Sequence, residues 1–141
     1  MKEQYKKYTE LVDKHKQLIL DTERYLWKHP QVGYKEWEAT EYLVRQYEKM
    51  GFQVKTAEGI PGHCQSSAVL GCAAALTEPG ALDGLCGSIR FVGVPAEETI
   101  DLEFRAKLIK EGKIHFNAGK IEFLYRGLFD DVDMVAMVHA M

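Results

Sequence analysis

The 141-residue sequence has little cysteine and no long apolar run. Its three cysteines, Cys64, Cys72 and Cys86, are odd in number and show no Cys-x-x-Cys spacing, which argues against a disulfide framework and a zinc knuckle. No apolar stretch approaches the roughly 20 residues that a membrane-spanning helix needs. We therefore expect no membrane partner, and the cysteine usage indicates the reducing cytoplasm.

The sequence also lacks an excess of positive charge. Its 18 Lys and Arg residues against 21 Asp and Glu residues give a net charge of -3, so no positive field is available to hold phosphates, and nucleic acid is not an expected partner. The N-terminal stretch MKEQYKKYTELVDKHK alternates Lys with acidic residues and no apolar region follows it, which predicts no signal peptide. The length predicts one domain over residues 1–141 with a core of its own.

Four segments are predicted to be helices, the first two because their apolar residues recur every three or four positions. The predicted helices are Tyr8 to Leu26, Lys35 to Met50, Ser66 to Leu76 and Thr99 to Glu111. The first should stop at His29-Pro30, because the residue before a proline is disfavoured in the α conformation. Gly51 is placed as the C-cap of the second. The third helix has small, apolar residues on all sides, as a helix packed tightly against a sheet would have.

Four shorter runs predict β-strands. They are Phe52 to Thr56, Ser88 to Val94, Lys120 to Tyr125 and Val132 to Val138. The run from Ser88 to Val94 is rich in β-branched and aromatic residues and nearly unbroken in apolarity, which suits a central strand covered on both faces. Helices and strands that alternate along a chain indicate α/β layering. We therefore expect an α/β fold in which a mixed, mostly parallel sheet is flanked by helices.

Two adjacent carboxylates, Glu97 and Glu98, follow the run from Ser88 to Val94. Ligands of open α/β sheets gather at the carboxyl ends of strands, and His139 follows the last predicted strand in the same way. Adjacent residues that leave a strand point in different directions, so one carboxylate can bind a cation while its neighbour moves a proton. The pair therefore suits metal-assisted hydrolysis.

These residues also have interpretations without chemistry. Glu97 and Glu98 can be first-turn acids of the next helix, stabilised by its dipole and by Pro95 just upstream. His139 can be a strand-end histidine with a satisfied hydrogen bond, and His63 a plain turn residue. Spacing alone leaves both interpretations open.

Several segments taken together resemble a known family. They are His29 to Tyr34 with Glu36 and Thr40, Lys49 to Val54, Gly62-His63, Ser66 to Leu76, Pro95 to Glu98, and Phe129 to Asp133 running into His139. The set resembles the aminoacylase and carboxypeptidase family of dinuclear metallohydrolases, peptidase family M-twenty. It is similar to the amidohydrolase branch, which cleaves N-acyl amino acids, hippurate-like amides and aminobenzoyl-glutamate. The resemblance covers about Asp21 to His139, and Pro95-Ala96-Glu97-Glu98 is its most specific element.

The resemblance implies a catalytic site and a cofactor. Glu97 would be the general base and acid that activates a metal-bound water and later protonates the leaving amine. Glu98, His63 and His139 would be ligands of a divalent metal, Zn²⁺ or Mn²⁺, of which the family holds two. Such ligands let the metal lower the pKa of bound water and polarise the scissile carbonyl. The implied substrate is a small N-acyl amino acid, aminobenzoyl-glutamate or dipeptide-like amide.

The sequence departs from the family at three places. Pro61 stands where the family has the cysteine of a Cys-Gly-His ligand motif, and a stretch with a strand and an acidic turn is missing between Ile60 and His63. The family's lid and dimerisation domain is absent from the 141 residues, and so is the following return to the catalytic domain that carries the last histidine ligand. We therefore expect a partial three-layer sandwich, truncated relative to the family, that is a single partial catalytic domain with little activity alone.

Two further interpretations compete with the hydrolase. The chain can be a non-catalytic remnant that pairs with another chain, or with a second copy of itself, through the exposed edge of its truncated sheet. It can also be a plain structural α/β domain in which the acid pair only caps a helix.

Overall fold

The computed structural model describes residues 3–61, 66–98 and 100–137. Within these ranges the chain forms α-helices and no β-strand. The helices are α1 (Glu3–Lys14), α2 (Lys16–Lys28), α3 (Trp37–Lys49), α4 (Ser66–Leu76), α5 (Leu102–Lys110) and α6 (Gly119–Tyr125). The predicted α/β three-layer sandwich with its mostly parallel sheet is therefore wrong. Across the same ranges, no helix combines the length and the apolarity that crossing a membrane requires.

None of the predicted strands is a strand in the described residues. The run from Lys120 to Tyr125 lies in α6, and residues 52–56, 88–94 and 132–137 have no regular secondary structure. β-branched and aromatic residues favour a pleated surface, but a strand forms only where a neighbouring strand takes up its backbone hydrogen bonds. The last run is not buried either, since the side chain of Met134 is 89% exposed.

Aromatic rings join two of these irregular segments. The rings of Phe52 and Phe91 meet edge to face with centroids 5.7 Å apart, and Tyr47 at the end of α3 lies 5.6 Å from Phe52. Edge-to-face rings gain attraction beyond the area they bury. The apolar side chains of both segments are thus used in ring packing rather than in a sheet.

The helix predictions agree better with the structure. The predicted bounds of α4 are confirmed, and Gly51 has the left-handed φ of +87° expected of a residue that ends α3. The stop predicted at His29-Pro30 is also confirmed, because α2 ends at Lys28. The first predicted helix is in fact two, α1 and α2, which are separated at His15.

One compact unit comprises Met1–Pro30, Glu41–Lys55 and Ser66–Val92. In it α1 and α2 pack against α4, so the helix predicted to cover a sheet is covered by helices. Gly71 permits this packing, because a Cβ there would lie 2.5 Å from the side chain of Ile19. After α4, Glu78 accepts a hydrogen bond from Lys14 (3.2 Å) and pairs with His15 (2.9 Å), which ties the following loop to the junction of α1 and α2.

A second compact unit comprises Gln31–Thr40, Thr56–Gln65 and Gly93–Met141. It contains α5, α6 and the first turn of α3, connected by long irregular segments. Three of its charged side chains, Glu36, Arg105 and Glu122, are buried. Charged groups are rarely buried unless they are paired and hydrogen-bonded, so their partners define the interior of this unit.

Candidate functional site

Two of the four predicted site residues lie in the described part of the chain. Glu97 and Glu98 are in the irregular segment before α5, in the second unit. His63 and His139, the predicted histidine ligands, lie outside the described residues. Among the residues that are described, no group of three or more His, Cys, Asp and Glu side chains is arranged to hold a metal.

The two adjacent carboxylates have different environments. The side chain of Glu97 is only 11% exposed, and its Oε1 lies 2.6 Å from Nζ of Lys120 in α6. Glu98 is exposed. Neither residue belongs to the first turn of a helix, because α5 begins at Leu102 and is capped by Asp101, whose carboxylate accepts the N–H of Phe104. The interpretation of the pair as helix-capping acids is therefore wrong.

Buried charges hold the backbone of the segment Pro95–Glu98, which we call the carboxylate turn. Oε1 of Glu36 accepts the N–H of Ala96 at 2.8 Å. Nη2 of Arg105 donates to the carbonyl of Glu98, and its Nη1 donates to the carbonyl of Asn117 at 2.7 Å. Ala96 itself has a φ of +51°, in the left-handed region that a non-glycine residue enters only at a cost.

Gly33 allows the segment before α3 to reach the carboxylate turn. A Cβ at this position would overlap Nη2 of Arg105 and would lie 2.9 Å from Cα of Ala96. Glu36 follows three residues later and supplies the hydrogen bond to Ala96. The structure thus brings together two of the separate sequence segments on which the family resemblance was based.

The carboxyl group of Glu36 is polar but deeply buried. Burial raises its pKa above the usual 4.5, although the backbone N–H of Ala96 and the positive charge of Arg105 act in the opposite direction. Among the described residues, Oε2 of Glu36 and Nε of Arg105 are buried without a hydrogen-bond partner. Burying the side chains of Glu36 and Arg105 therefore costs free energy. Their hydrogen bonds fix the position of the carboxylate turn.

Glu122 organises the other end of the second unit. Its Oε2 accepts the N–H groups of His115 (2.7 Å) and Phe116 (3.0 Å), and its Oε1 accepts Nε of Arg126 at 2.7 Å. The remaining guanidinium nitrogens of Arg126 donate to the carbonyls of Glu58 (2.8 Å) and Lys113 (2.9 Å). This pair, in which Glu122 is buried and Arg126 is partly exposed, fixes the irregular segment before α6 against the helix.

Several hydrogen bonds outweigh the effect of burial on the pKa of Glu122. Burial alone raises that pKa, but the bonds from His115, Arg126 and Phe116 together hold it below the usual 4.5. Tyr34 is also bound into this region, since its hydroxyl donates to the carbonyl of Phe116 at 3.0 Å. Burial raises the pKa of Tyr34 to about 12.

Sequence reasoning overlooked Arg105 and Glu122 as organising residues. A strand from Lys120 to Tyr125 was expected, and in a strand Glu122 and Arg126 would not form the helical i, i+4 pair that they form in the structure. The i, i+4 spacing of Glu122 and Arg126 in the sequence could have indicated this pair. Arg105 gave none, because a charged residue in an amphipathic pattern is ordinarily assigned to the exposed face.

No family model, no curated protein and no solved structure matches the chain. The likeness to peptidase family M-twenty therefore stays a hypothesis that rests on the quoted sequence segments.

Proposed function

We propose that the chain functions in the metal-dependent hydrolysis of amide bonds in small substrates such as N-acyl amino acids, aminobenzoyl-glutamate or dipeptide-like amides. In this proposal Glu97 holds and moves the proton, and Glu98, His63 and His139 bind Zn²⁺ or Mn²⁺. These roles follow the family resemblance. The cysteine usage supports placing the protein in the cytoplasm.

The construction of the carboxylate turn is the observation that supports the proposal. Two buried charged side chains, Glu36 and Arg105, bind its backbone, and Ala96 within it has a strained φ. Well-packed apolar residues often stabilise a fold as well as buried charges do or better, so stability alone does not call for this arrangement. Catalytic groups, in contrast, must be held within about 0.5 Å of their working positions by residues that are themselves fixed.

The different surroundings of Glu97 and Glu98 also support the two roles. A proton carrier is kept off the metal, and Glu97 is enclosed and engaged with Lys120. A metal ligand must be reachable, and Glu98 is exposed. The described residues alone do not complete a metal site, so the assignment of the metal depends on His63 and His139.

Metal titration tests the proposal directly. Chelator-treated protein is expected to bind Zn²⁺ or Mn²⁺ stoichiometrically in titration calorimetry, with the bound metal confirmed by elemental analysis. Glu98→Gln and His139→Ala should each weaken binding by more than about tenfold, since even loss of a group that only supports a ligand costs about 10-fold to 100-fold. Glu41→Gln, a change at an exposed position on α3, serves as the matched control and should leave the affinity unchanged.

Absence of binding in the wild type and in every variant would contradict the metal site. Hydrolysis of hippurate-like and aminobenzoyl-glutamate amides by the metal-loaded protein is measured separately, because a protein can bind metal without catalysing the reaction.

A second candidate function is the non-catalytic binding of another protein chain. The proposed route through a sheet edge is wrong for the described residues, because they form no sheet. Exposed apolar side chains on α6, those of Ile121, Leu124 and Tyr125, favour binding by a helical face instead.

If this face mediates self-association, Leu124→Glu should shift the wild-type oligomer to monomer in size-exclusion chromatography. A wild type that stays monomeric at high concentration would count against self-association.

A further inference from the structure

We propose that His115 is a nucleophilic histidine that accepts acyl groups from small aromatic esters, with Glu122 as the positioning residue that orients its ring. This role needs no metal and uses none of the residues assigned to the metal site, so it is separate from the proposed hydrolase function. Nδ1 of His115 lies 3.3 Å from Oε1 of Glu122. A carboxylate at one ring nitrogen orients an imidazole and leaves the other nitrogen to react.

Glu122 is suited to hold a proton on Nδ1 of His115. Its side chain is fully buried, yet its hydrogen bonds keep its pKa below the usual 4.5, so the carboxylate retains its charge in spite of burial. Each carboxylate oxygen has two lone pairs, so Oε1 can accept from His115 as well as from Arg126. An ionised carboxylate only accepts hydrogen bonds, and it therefore favours the neutral tautomer with the proton on Nδ1. The lone pair that can attack an acyl group then lies on Nε2.

Two further contacts hold the imidazole of His115 in place. The backbone N–H of His115 donates to Oε2 of Glu122 at 2.7 Å, so one carboxylate fixes both the backbone and the ring. The ring also packs on that of Tyr125, with centroids 4.1 Å apart. The side chain is nevertheless 48% exposed, and within the described residues its ring is hydrogen-bonded through Nδ1, which leaves Nε2 open to an approaching molecule.

The rings beside His115 indicate the class of ester. Phe116 and Tyr125 are 38% and 59% exposed, and their ring centroids lie 5.6 Å apart. Exposed rings can stack on a planar aromatic group, and such stacking gains attraction beyond the area it buries. An aryloxide is also a good leaving group, so an imidazole can displace it without the help of a metal. Aryl esters of small acids therefore suit this position.

The reaction consumes one ester and one water. Nε2 attacks the carbonyl carbon, and the bond to the aryloxide breaks, so the aryloxide leaves with the electron pair. The acyl-imidazolium that remains carries its positive charge beside the carboxylate of Glu122. Water then attacks the acyl carbon, and the bond to Nε2 breaks with its electron pair returning to the nitrogen. The carboxylic acid is released, and the proton lost from water passes through solvent to the aryloxide, which becomes the phenol.

The first experiment measures the hydrolysis of p-nitrophenyl acetate by the full chain in the presence of EDTA, which removes any contribution from bound metal. Wild type is compared with His115→Gln and His29→Gln after the buffer rate is subtracted. His29 is a matched control, because its ring packs on Tyr25 at 4.2 Å and its Nδ1 faces the neutral carbonyl of Tyr25 at 2.7 Å rather than a carboxylate.

The expected loss of rate differs between the two variants. If the five histidines of the chain were equivalent, each replacement would remove about a fifth of the rate. A charge-assisted hydrogen bond is roughly twice as strong as a neutral one, so we expect His115 to be at least about fivefold more reactive than the others. His115→Gln should then remove more than about half of the rate, and His29→Gln only about a tenth. Equal losses in the two variants would overturn the assignment of His115.

The second experiment tests Glu122 as the positioning residue. Wild type and Glu122→Gln are treated with diethyl pyrocarbonate, and the modification of His115 and His29 is followed in the same sample by peptide mass spectrometry. Glu122→Gln should slow the modification of His115 at least about fivefold and leave that of His29 within about twofold. A purely structural role of Glu122 predicts the opposite, because a loosened fold exposes the ring and speeds its modification.

Unchanged or faster modification of His115 in Glu122→Gln would overturn the positioning role. The ester assay decides the role of His115 separately, since His115→Gln keeps the backbone N–H that binds Glu122 and is expected to fold. Because EDTA is present throughout, both results are independent of whether the proposed metal site exists.

Discussion

Replacing Glu122 with glutamine is expected to lower the free energy of unfolding by about 1–3 kcal/mol, because it leaves buried hydrogen-bond donors without an acceptor. The carboxylate is fully buried and accepts hydrogen bonds from Arg126 and from the backbone of His115 and Phe116. The glutamine amide nitrogen can only donate, so at least one of these donors is left facing another donor. Urea unfolding followed by circular dichroism measures the loss.

The control for this substitution is Glu103→Gln. Glu103 lies in the first turn of α5 and is exposed, so its replacement should change the free energy of unfolding by less than about 0.5 kcal/mol. A similarly small change at Glu122 would contradict the view that this carboxylate organises the second unit.

The same substitution should alter the response of the protein to acid. Because the folded state lowers the pKa of Glu122 below 4.5, the stability that this group contributes is present above pH 4.5 and is lost as the pH falls through the folded pKa. Glu122→Gln should therefore lose less stability than the wild type below pH 4.5. Some acid sensitivity will remain, since the pKa values of three other carboxylates, Glu78, Asp101 and Glu111, are also lowered. Equal acid sensitivity in the two proteins would contradict the assignment.

Arg105→Met should be comparably damaging, with a loss of about 1–3 kcal/mol in the free energy of unfolding. Methionine occupies part of the same space, but it leaves the carbonyls of Asn117 and Glu98 without their donor. It also removes the positive charge that lowers the pKa of the buried Glu36. Unfolding in urea is again the measurement, and Arg45→Met at an exposed position of α3 is the control, expected to change stability by less than about 0.5 kcal/mol.

A double-mutant cycle shows whether Arg105 and Glu36 act as a unit. If the charge of Arg105 offsets that of Glu36, then Glu36→Gln should be less harmful, or even favourable, once Arg105 has been replaced. The two effects should then fail to add by about 0.5–3 kcal/mol. Strict additivity would mean that each side chain supports the carboxylate turn independently.

The helices could be predicted from the sequence because their signals are local. The period of apolar residues located the body of α3, an unbroken run of small apolar residues located α4, and Pro30 and Gly51 marked helix ends through backbone constraints that act within one or two residues. The strands could not be predicted in this way. A run such as residues 88–94 has strand propensity, but whether it pairs depends on a partner elsewhere in the chain, and here Phe91 packs on Phe52 instead.

The candidate site was predictable in part. The sequence identified the neighbouring carboxylates Glu97 and Glu98, and the structure gives them different surroundings. It did not indicate that Lys120 would pair with Glu97, because that contact joins residues 23 positions apart and depends on the approach of Gly119 to Pro95. The sequence also did not indicate that Arg105 is buried. The groups that accept its hydrogen bonds are backbone carbonyls, which every residue has.

The close approach at Gly33 has a consequence for how the sequence can vary. No side chain fits between this residue, the guanidinium of Arg105 and the backbone of Ala96. A larger residue at position 33 is therefore tolerated only if position 105 becomes smaller or the chain at position 96 moves away. Positions 33, 96 and 105 should consequently change together in the descendants of this sequence, although position 33 lies far from the other two in the gene.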